Sequence, residues 1–285
     1  MTAEFPSGIV DLHTHVFPRR MFEAVWEYFE TRDWPVHREY VEDMAATLAA
    51  HGVVAAVGLS YPHKPGVARS LNRFMMEVGE RVPIFRPFAS VHPDDEDLRE
   101  TIDEALASPH IHGFKFQPLV QRFDVNDPRL DALFEPCRER GIPITMHIGS
   151  GPVANEFVGV PHFAKLMRRF PDLRICVPHM GAPEFGEFLA MLDDCPNMFL
   201  DTTMVNTRTT LFENTWRGDG ERLARNADRV CFGSDWPNVP YAYRQAIDSV
   251  RRYPFAEEHL PLVYRDNALR FLDSAAPARL WSSSC

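Results

Sequence analysis

Eight short apolar runs recur along the chain: Ile9–His15, Val53–Leu59, Ile84–Val91, Ile111–Gln117, Ile142–His147, Leu173–His179, Met198–Thr202 and Arg229–Asp235. Several are apolar nearly throughout, as parallel strands buried on both faces are. The stretches between them carry apolar residues at helical spacing. Val67, Leu71, Phe74, Met75 and Val78 form one stripe, and Phe163, Leu166 and Phe170 a shorter one. Leu98, Ile102 and Leu106 form another, for which Asp94 is the expected cap and Pro109 the end. Asp127 followed by Pro128 opens a further helix with the stripe Leu130, Leu133, Phe134 and Cys137, stopped at Gly141. Strands alternating with helices imply βαβ units on a parallel sheet. Eight strands in this arrangement predict one (β/α)8 barrel, a TIM barrel.

No Gly/Ser linker or low-complexity stretch divides the sequence. Residues 1–285 are therefore expected to form a single domain, with about the last ten as a tail. Two connections exceed the basic repeat. Residues 16–51 hold Trp26, Tyr28, Trp34 and Tyr40, and residues 203–228 hold Asn206, Arg208 and Trp216. As extended loops after strands 1 and 7 they fall at the C-terminal face of a barrel, where they predict walls or lids over a pocket. Surface decoration is the alternative reading.

Composition narrows the partners. A formal charge of −10 and a pI near 5.6 argue against nucleic acid, which wants clustered Lys and Arg. No apolar run reaches the ~20 residues of a membrane span, and the opening MTAEFPSG lacks the basic and apolar regions of a secretory leader. Cys137, Cys176, Cys195, Cys231 and Cys285 show no CxxC pairing and read as buried small hydrophobes, with Cys285 in the tail. A cytoplasmic protein acting on a small molecule is expected, with a homodimer as the default assembly.

Polar residues fall at the end of run after run. His13 and His15 close the first run, Lys115 lies at the end of the fourth in HGFKFQP, His147 closes the fifth, His179 the sixth and Asp235 the eighth. A barrel gathers these ends around one mouth. Two or three imidazoles with a carboxylate suit a divalent transition ion such as Zn²⁺, with Mn²⁺ as the alternative, and leave a position for water. Lys115 has two further readings from its place alone: an ammonium that suits an anionic substrate, or a structural partner of an inward-facing Asp11.

The ordered set (Asp11, His13 and His15 as D-x-H-x-H, His147, His179, then G-S-D-W-P around Asp235, and the closing YRDNALRFL) resembles the amidohydrolase superfamily over nearly the whole chain. The resemblance is to the amidohydrolase-related branch that includes aminocarboxymuconate-semialdehyde decarboxylase, lactonases and hydratases. It implies that His13, His15, His147 and Asp235 hold one metal ion, and that His179 and Asp235 are the catalytic acid/base pair. In binuclear members a carboxylated strand-four lysine bridges two ions, which would make Lys115 and His179 ligands here. The expected reaction is hydrolysis of an ester, lactone or amide carbonyl in a small anionic substrate. The rival is non-oxidative decarboxylation or hydration of an aromatic or enoic acid at the same site.

Lys115, His63, Arg86 and Trp236 are the candidate substrate contacts. His63 follows strand two at the functional end, and arginine is the better fork for a carboxylate. His51 reads as a helix-end cap, and His110 and His112 as structural residues near the start of strand four. The acidic run Asp94–Asp97 is a helix start and a solvated face, since it lacks the spaced oxygen ligands of a calcium loop.

Overall fold

The computed structural model describes residues 8–212 and 214–273; Cys285 and the expected tail lie outside the described residues. Its strands are β1 (Ile9–His15), β2 (Val53–Leu59), β3 (Phe85–Ala89), β4 (Gly113–Phe116), β5 (Ile144–Met146), β6 (Ile175–Val177), β7 (Met198–Asp201) and β8 (Val230–Cys231). They pair in sequence order and all in parallel. The segment after β8 then runs back along β1. Leu12 N–H donates to the Phe232 carbonyl at 2.9 Å, Asp235 N–H to the His13 carbonyl at 2.8 Å, and His15 N–H to the Trp236 carbonyl at 2.7 Å. These bonds curl the sheet into the (β/α)8 barrel that the alternation predicts.

The helices are α1 (Arg19–Glu30), α2 (Val41–Ala50), α3 (Ala68–Arg81), α4 (Leu98–Ala107), α5 (Pro118–Gln121), α6 (Asp131–Arg140), α7 (Val160–Arg169), α8 (Phe185–Asp194), α9 (Gly220–Arg225), α10 (Tyr243–Ser249) and α11 (Asn267–Leu272). The long connection after β1 holds two helices where the basic repeat has one, with Phe22 and Trp26 of α1 and Met44 and Leu48 of α2 buried. Leu71, Met75 and Val78 bury the predicted stripe of α3. Asp127 does what its place suggests: its carboxylate accepts the Arg129 N–H at 2.9 Å, in a 3₁₀ turn that leads into α6. Gly141 ends α6 at φ 63°, a conformation that glycine adopts without strain. Asp94 is not the cap of α4. That position belongs to Asp97, and Asp94 instead pairs with Arg129 at 2.9 Å.

Two apolar clusters follow from the layers. One packs helix stripes against the outside of the sheet. The other, with Val10, Leu12, Val57, Leu59, Phe88, Cys176, Phe199 and Cys231, takes helical residues from α11 alone and fills the barrel interior. The strand register places Lys115, Thr145, Cys176 and Phe199 side by side on this inner face. Cys137, Cys176, Cys195 and Cys231 are buried and free, as expected. Among the described residues no helix is long and apolar enough to cross a membrane.

Candidate metal centre

The pairing register of β1 slips between Asp11 and Thr14, so the strand does not alternate cleanly. The slip matters for the site. Val10 and Leu12 face the barrel interior, yet His13 and His15 also converge at the mouth, ring centroids 5.2 Å apart. Asp11 turns instead toward the helix layer, where Tyr243 of α10 donates its hydroxyl to Asp11 Oδ2 at 2.7 Å. Its Oδ1 accepts the backbone N–H groups of His13 and Ser234 at 3.0 and 3.1 Å. Burial outweighs these bonds and pushes the Asp11 carboxyl up to about 7. The pairing of Lys115 with an inward Asp11 is therefore corrected: Asp11 is held by Tyr243 and the backbone.

Asp235 meets the two histidines from the other side of the seam. Its backbone takes φ 64°, and the N–H bond to the His13 carbonyl anchors it. Asp235 Oδ1 lies 2.8 Å from His15 Nε2 and 3.3 Å from His13 Nε2. Ligand atoms of all three residues fall within 4.8 Å of one another. Burial pushes the Asp235 carboxyl up, but the His15 hydrogen bond and the imidazoles of His15, His13 and His179 around it outweigh that and hold the group ionised.

Whether this trio suits a metal can be judged from the protons. His13 Nδ1 lies 3.0 Å from Asp201 Oδ2, a carboxylate that can only accept, so the Nδ1 proton is donated there. Burial, and then the charge of Lys115, push His13 down to about 4, so the ring is neutral near pH 7 and carries no second proton. Its buried Nε2 has no hydrogen-bond partner. A nitrogen lone pair and a carboxylate oxygen thus face each other 3.3 Å apart with no proton between them. That arrangement is repulsive unless a cation sits there. Ligand atoms held at ~2.0–2.2 Å from one ion stand about 3 Å apart, close to the 2.8 and 3.3 Å that separate Asp235 Oδ1 from the two histidine nitrogens. The donors fit a divalent ion.

The remaining candidates divide. His179 lies two residues past β6 in a left-handed turn, φ 56°, with its ring centroid 5.4 Å from that of His13. Its Nδ1–H donates to the Thr203 carbonyl at 3.2 Å, which leaves Nε2 with a free lone pair at the mouth. His147, the fourth expected ligand, lies beside the trio and not within its 4.8 Å grouping. Its Nε2–H donates to the Gly151 carbonyl at 3.1 Å and its ring faces His179 at 4.6 Å between centroids. Lys115 is fully buried on the inner face, with no hydrogen-bond partner for Nζ. Burial lowers it to about 8 although Asp201 and Asp235 favour its charge.

The Trp236 ring packs against His37 at 4.0 Å and, edge-on at 5.5 Å, against Tyr243. Its indole N–H is spent on Glu39 at 2.8 Å. His63 is exposed on the loop after β2. Arg86 is at the wrong end of the barrel: it is the second residue of β3 and donates to the Pro83 and Phe85 carbonyls near that strand's start. A strand's first residues point to the N-terminal face, so Arg86 is withdrawn as a substrate contact.

One residue was missed. Asp201 closes β7 and is fully buried. It takes the His13 proton on Oδ2 and the backbone N–H groups of His179 and Thr203 on Oδ1, at 2.9 and 3.1 Å. Burial would raise its pKa, but His13 outweighs that and holds it at about 2. Its signal was available, a polar residue at the end of the seventh run.

The chain belongs to the amidohydrolase family, whose sequence model matches residues 10–273. No curated protein sequence matches it. Its fold is similar to that of an uncharacterised TIM-barrel protein from Bordetella bronchiseptica, with a TM-score of 0.70 at 19% identity over 95% of this chain and 100% of that one. It is also similar to a 5-carboxyvanillate decarboxylase from Novosphingobium aromaticivorans with bound manganese (0.65, 12% identity, 95% and 99% covered). A Pseudomonas putida protein described as a 2-pyrone-4,6-dicarboxylic acid hydrolase is a third relative in fold (0.62, 18% identity, 95% and 99% covered). Decarboxylase and hydrolase thus share this architecture, and likeness at such identity speaks to fold alone.

Proposed function

We propose that this chain is a metal-dependent hydrolase that opens an ester, lactone or amide carbonyl in a small anionic substrate. The observation that supports the reading most is the buried His13 Nε2, without a hydrogen-bond partner and 3.3 Å from the Asp235 carboxylate, beside His15. In this reading His13, His15 and Asp235 hold one divalent ion, Zn²⁺ or Mn²⁺. Bound there, it would polarise the carbonyl and acidify a water toward neutrality. Asp235 stays ionised and accepts the proton of the attacking water. His179, with Nδ1–H fixed on Thr203, presents Nε2 to carry that proton to the leaving group.

Charge selects the substrate. Lys115 contributes one positive charge inside the barrel, and Asp201 and Asp235 two negative ones. A divalent ion brings the sum to +1, which a monoanionic substrate neutralises in a site of low dielectric. A wall from Tyr61, whose ring stands edge-on to His15 at 5.8 Å, favours a flat apolar body on that anion.

The test is a panel of carboxylated lactones, esters and amides, set beside carboxylated aromatic acids, with the protein loaded with Zn²⁺ or Mn²⁺. Acid release from the first group, lost on chelation and restored by metal, is expected. Release of CO₂ from the second group with no hydrolysis of the first would replace this reading with decarboxylation.

A further inference from the structure

We propose that Asp201 is a positioning residue of the metal centre: its carboxylate fixes the tautomer of His13, and so creates the lone pair that binds the ion. The inference rests on the metal-site reading above.

A neutral imidazole has one N–H, and it can ligate only through the nitrogen without it. His13 has two carboxylates within reach, Asp201 at Nδ1 (3.0 Å) and Asp235 at Nε2 (3.3 Å), and either could claim the proton. The shorter contact is with Asp201, and Asp201 cannot turn away. Its other oxygen is pinned by the backbone N–H groups of His179 and Thr203. Thr203 also takes the His179 Nδ1–H on its carbonyl, which ties β6, β7 and the ligand of β1 into one hydrogen-bonded unit. The packing leaves no slack. A Cβ on Gly233 would lie 2.3 Å from Thr203 Oγ1, 2.9 Å from His13 Cβ and 3.3 Å from Asp201 Cγ, so only glycine lets these three groups meet.

The same geometry dictates what Asp201→Asn does. Two N–H donors point at the Oδ1 position, so the amide oxygen is drawn there and the NH₂ group faces His13 Nδ1. Nδ1 must then accept, and the proton moves to Nε2, toward Asp235. Every hydrogen bond of the unit survives while the ligating lone pair is lost.

The experiment measures Mn²⁺ affinity of the full chain by competition with a chelator, alongside thermal unfolding of the metal-free protein. Asp201→Asn is expected to weaken Mn²⁺ binding about 10- to 100-fold, as partners of ligating histidines do, with metal-free unfolding little changed. Unchanged Mn²⁺ affinity, with or without a lower unfolding temperature, would overturn the positioning role. Should the variant not fold, ¹⁵N NMR of the metal-free wild type decides: a proton on His13 Nδ1 supports the proposal, and one on Nε2 overturns it. Wild-type protein that binds no Mn²⁺ at all sinks the metal-site reading instead, while the NMR result still tests the tautomer.

Discussion

Replacing Lys115 with methionine separates a functional charge from a structural one. The ammonium is fully buried and its Nζ lacks a hydrogen-bond partner. Burial lowers its pKa from 10.5 to about 8, even with Asp201 and Asp235 nearby. At ~1.4 kcal/mol per tenfold change in proton affinity, that gap costs the fold roughly 3 kcal/mol at neutral pH. Methionine has similar length and no charge, so Lys115→Met is expected to stabilise the metal-stripped protein by an amount of that order. The pH dependence gives a second reading of the same number. Below about 8 the lysine is protonated in folded and unfolded chains alike, and the penalty is constant. Between about 8 and 10.5 the unfolded chain binds the extra proton, so the stability contributed at this site rises with pH. Urea unfolding at pH 7 and near pH 10 should therefore show the variant's advantage shrinking as pH rises. In the metal-loaded enzyme the same substitution should raise KM for an anionic substrate by tenfold or more. A variant that is destabilised at both pH values, with KM unmoved, would mean that Lys115 serves the fold and that the substrate charge has been misassigned.

Three further outcomes follow from the site. Asp235→Asn should keep the backbone, since asparagine tolerates the left-handed φ of 64° and the N–H bond to His13 remains, yet lose ~10²-fold or more in turnover together with metal affinity; full turnover would remove Asp235 from the mechanism. His179→Asn should reduce turnover by a comparable ~10²–10⁴-fold with metal content unchanged, read by elemental analysis, whereas a loss of metal would make it a ligand. Gly233→Ala forces a methyl into the 2.3 Å gap at Thr203. Overpacking of that kind costs about 1–3 kcal/mol, or roughly 2–12 °C in Tm at ~2–4 °C per kcal/mol, and a displaced His13 should weaken metal binding in parallel.

Much of the architecture was legible because the barrel's strands are apolar on both faces and its helices on one. β1 and β2 fall where the runs predict them, residue for residue. Later strands are shorter than their runs, because bends such as the left-handed turn at His179 leave the ladder before the apolar residues end. α1 was hidden by a loop-like mix of charges and aromatics, though Phe22 and Trp26 lie four apart on one face. At the site, the convergence of His13 and His15 was readable as a pattern, but for a reason the pattern did not contain. A register slip, not simple alternation, turns both inward and sends Asp11 out. Arg86 could have been rejected on strand direction alone. That His147 turns its Nε2 to the Gly151 carbonyl could not be read, since a ring orientation leaves no trace in the sequence.

The central claim is that His13, His15 and Asp235 share a cation, and anomalous diffraction from crystals soaked in Mn²⁺ tests it most directly. One anomalous peak within about 2.0–2.3 Å of a nitrogen from each histidine and an oxygen of Asp235 is expected. A map with no peak there, or with its strongest peak bound by other residues, would contradict the account.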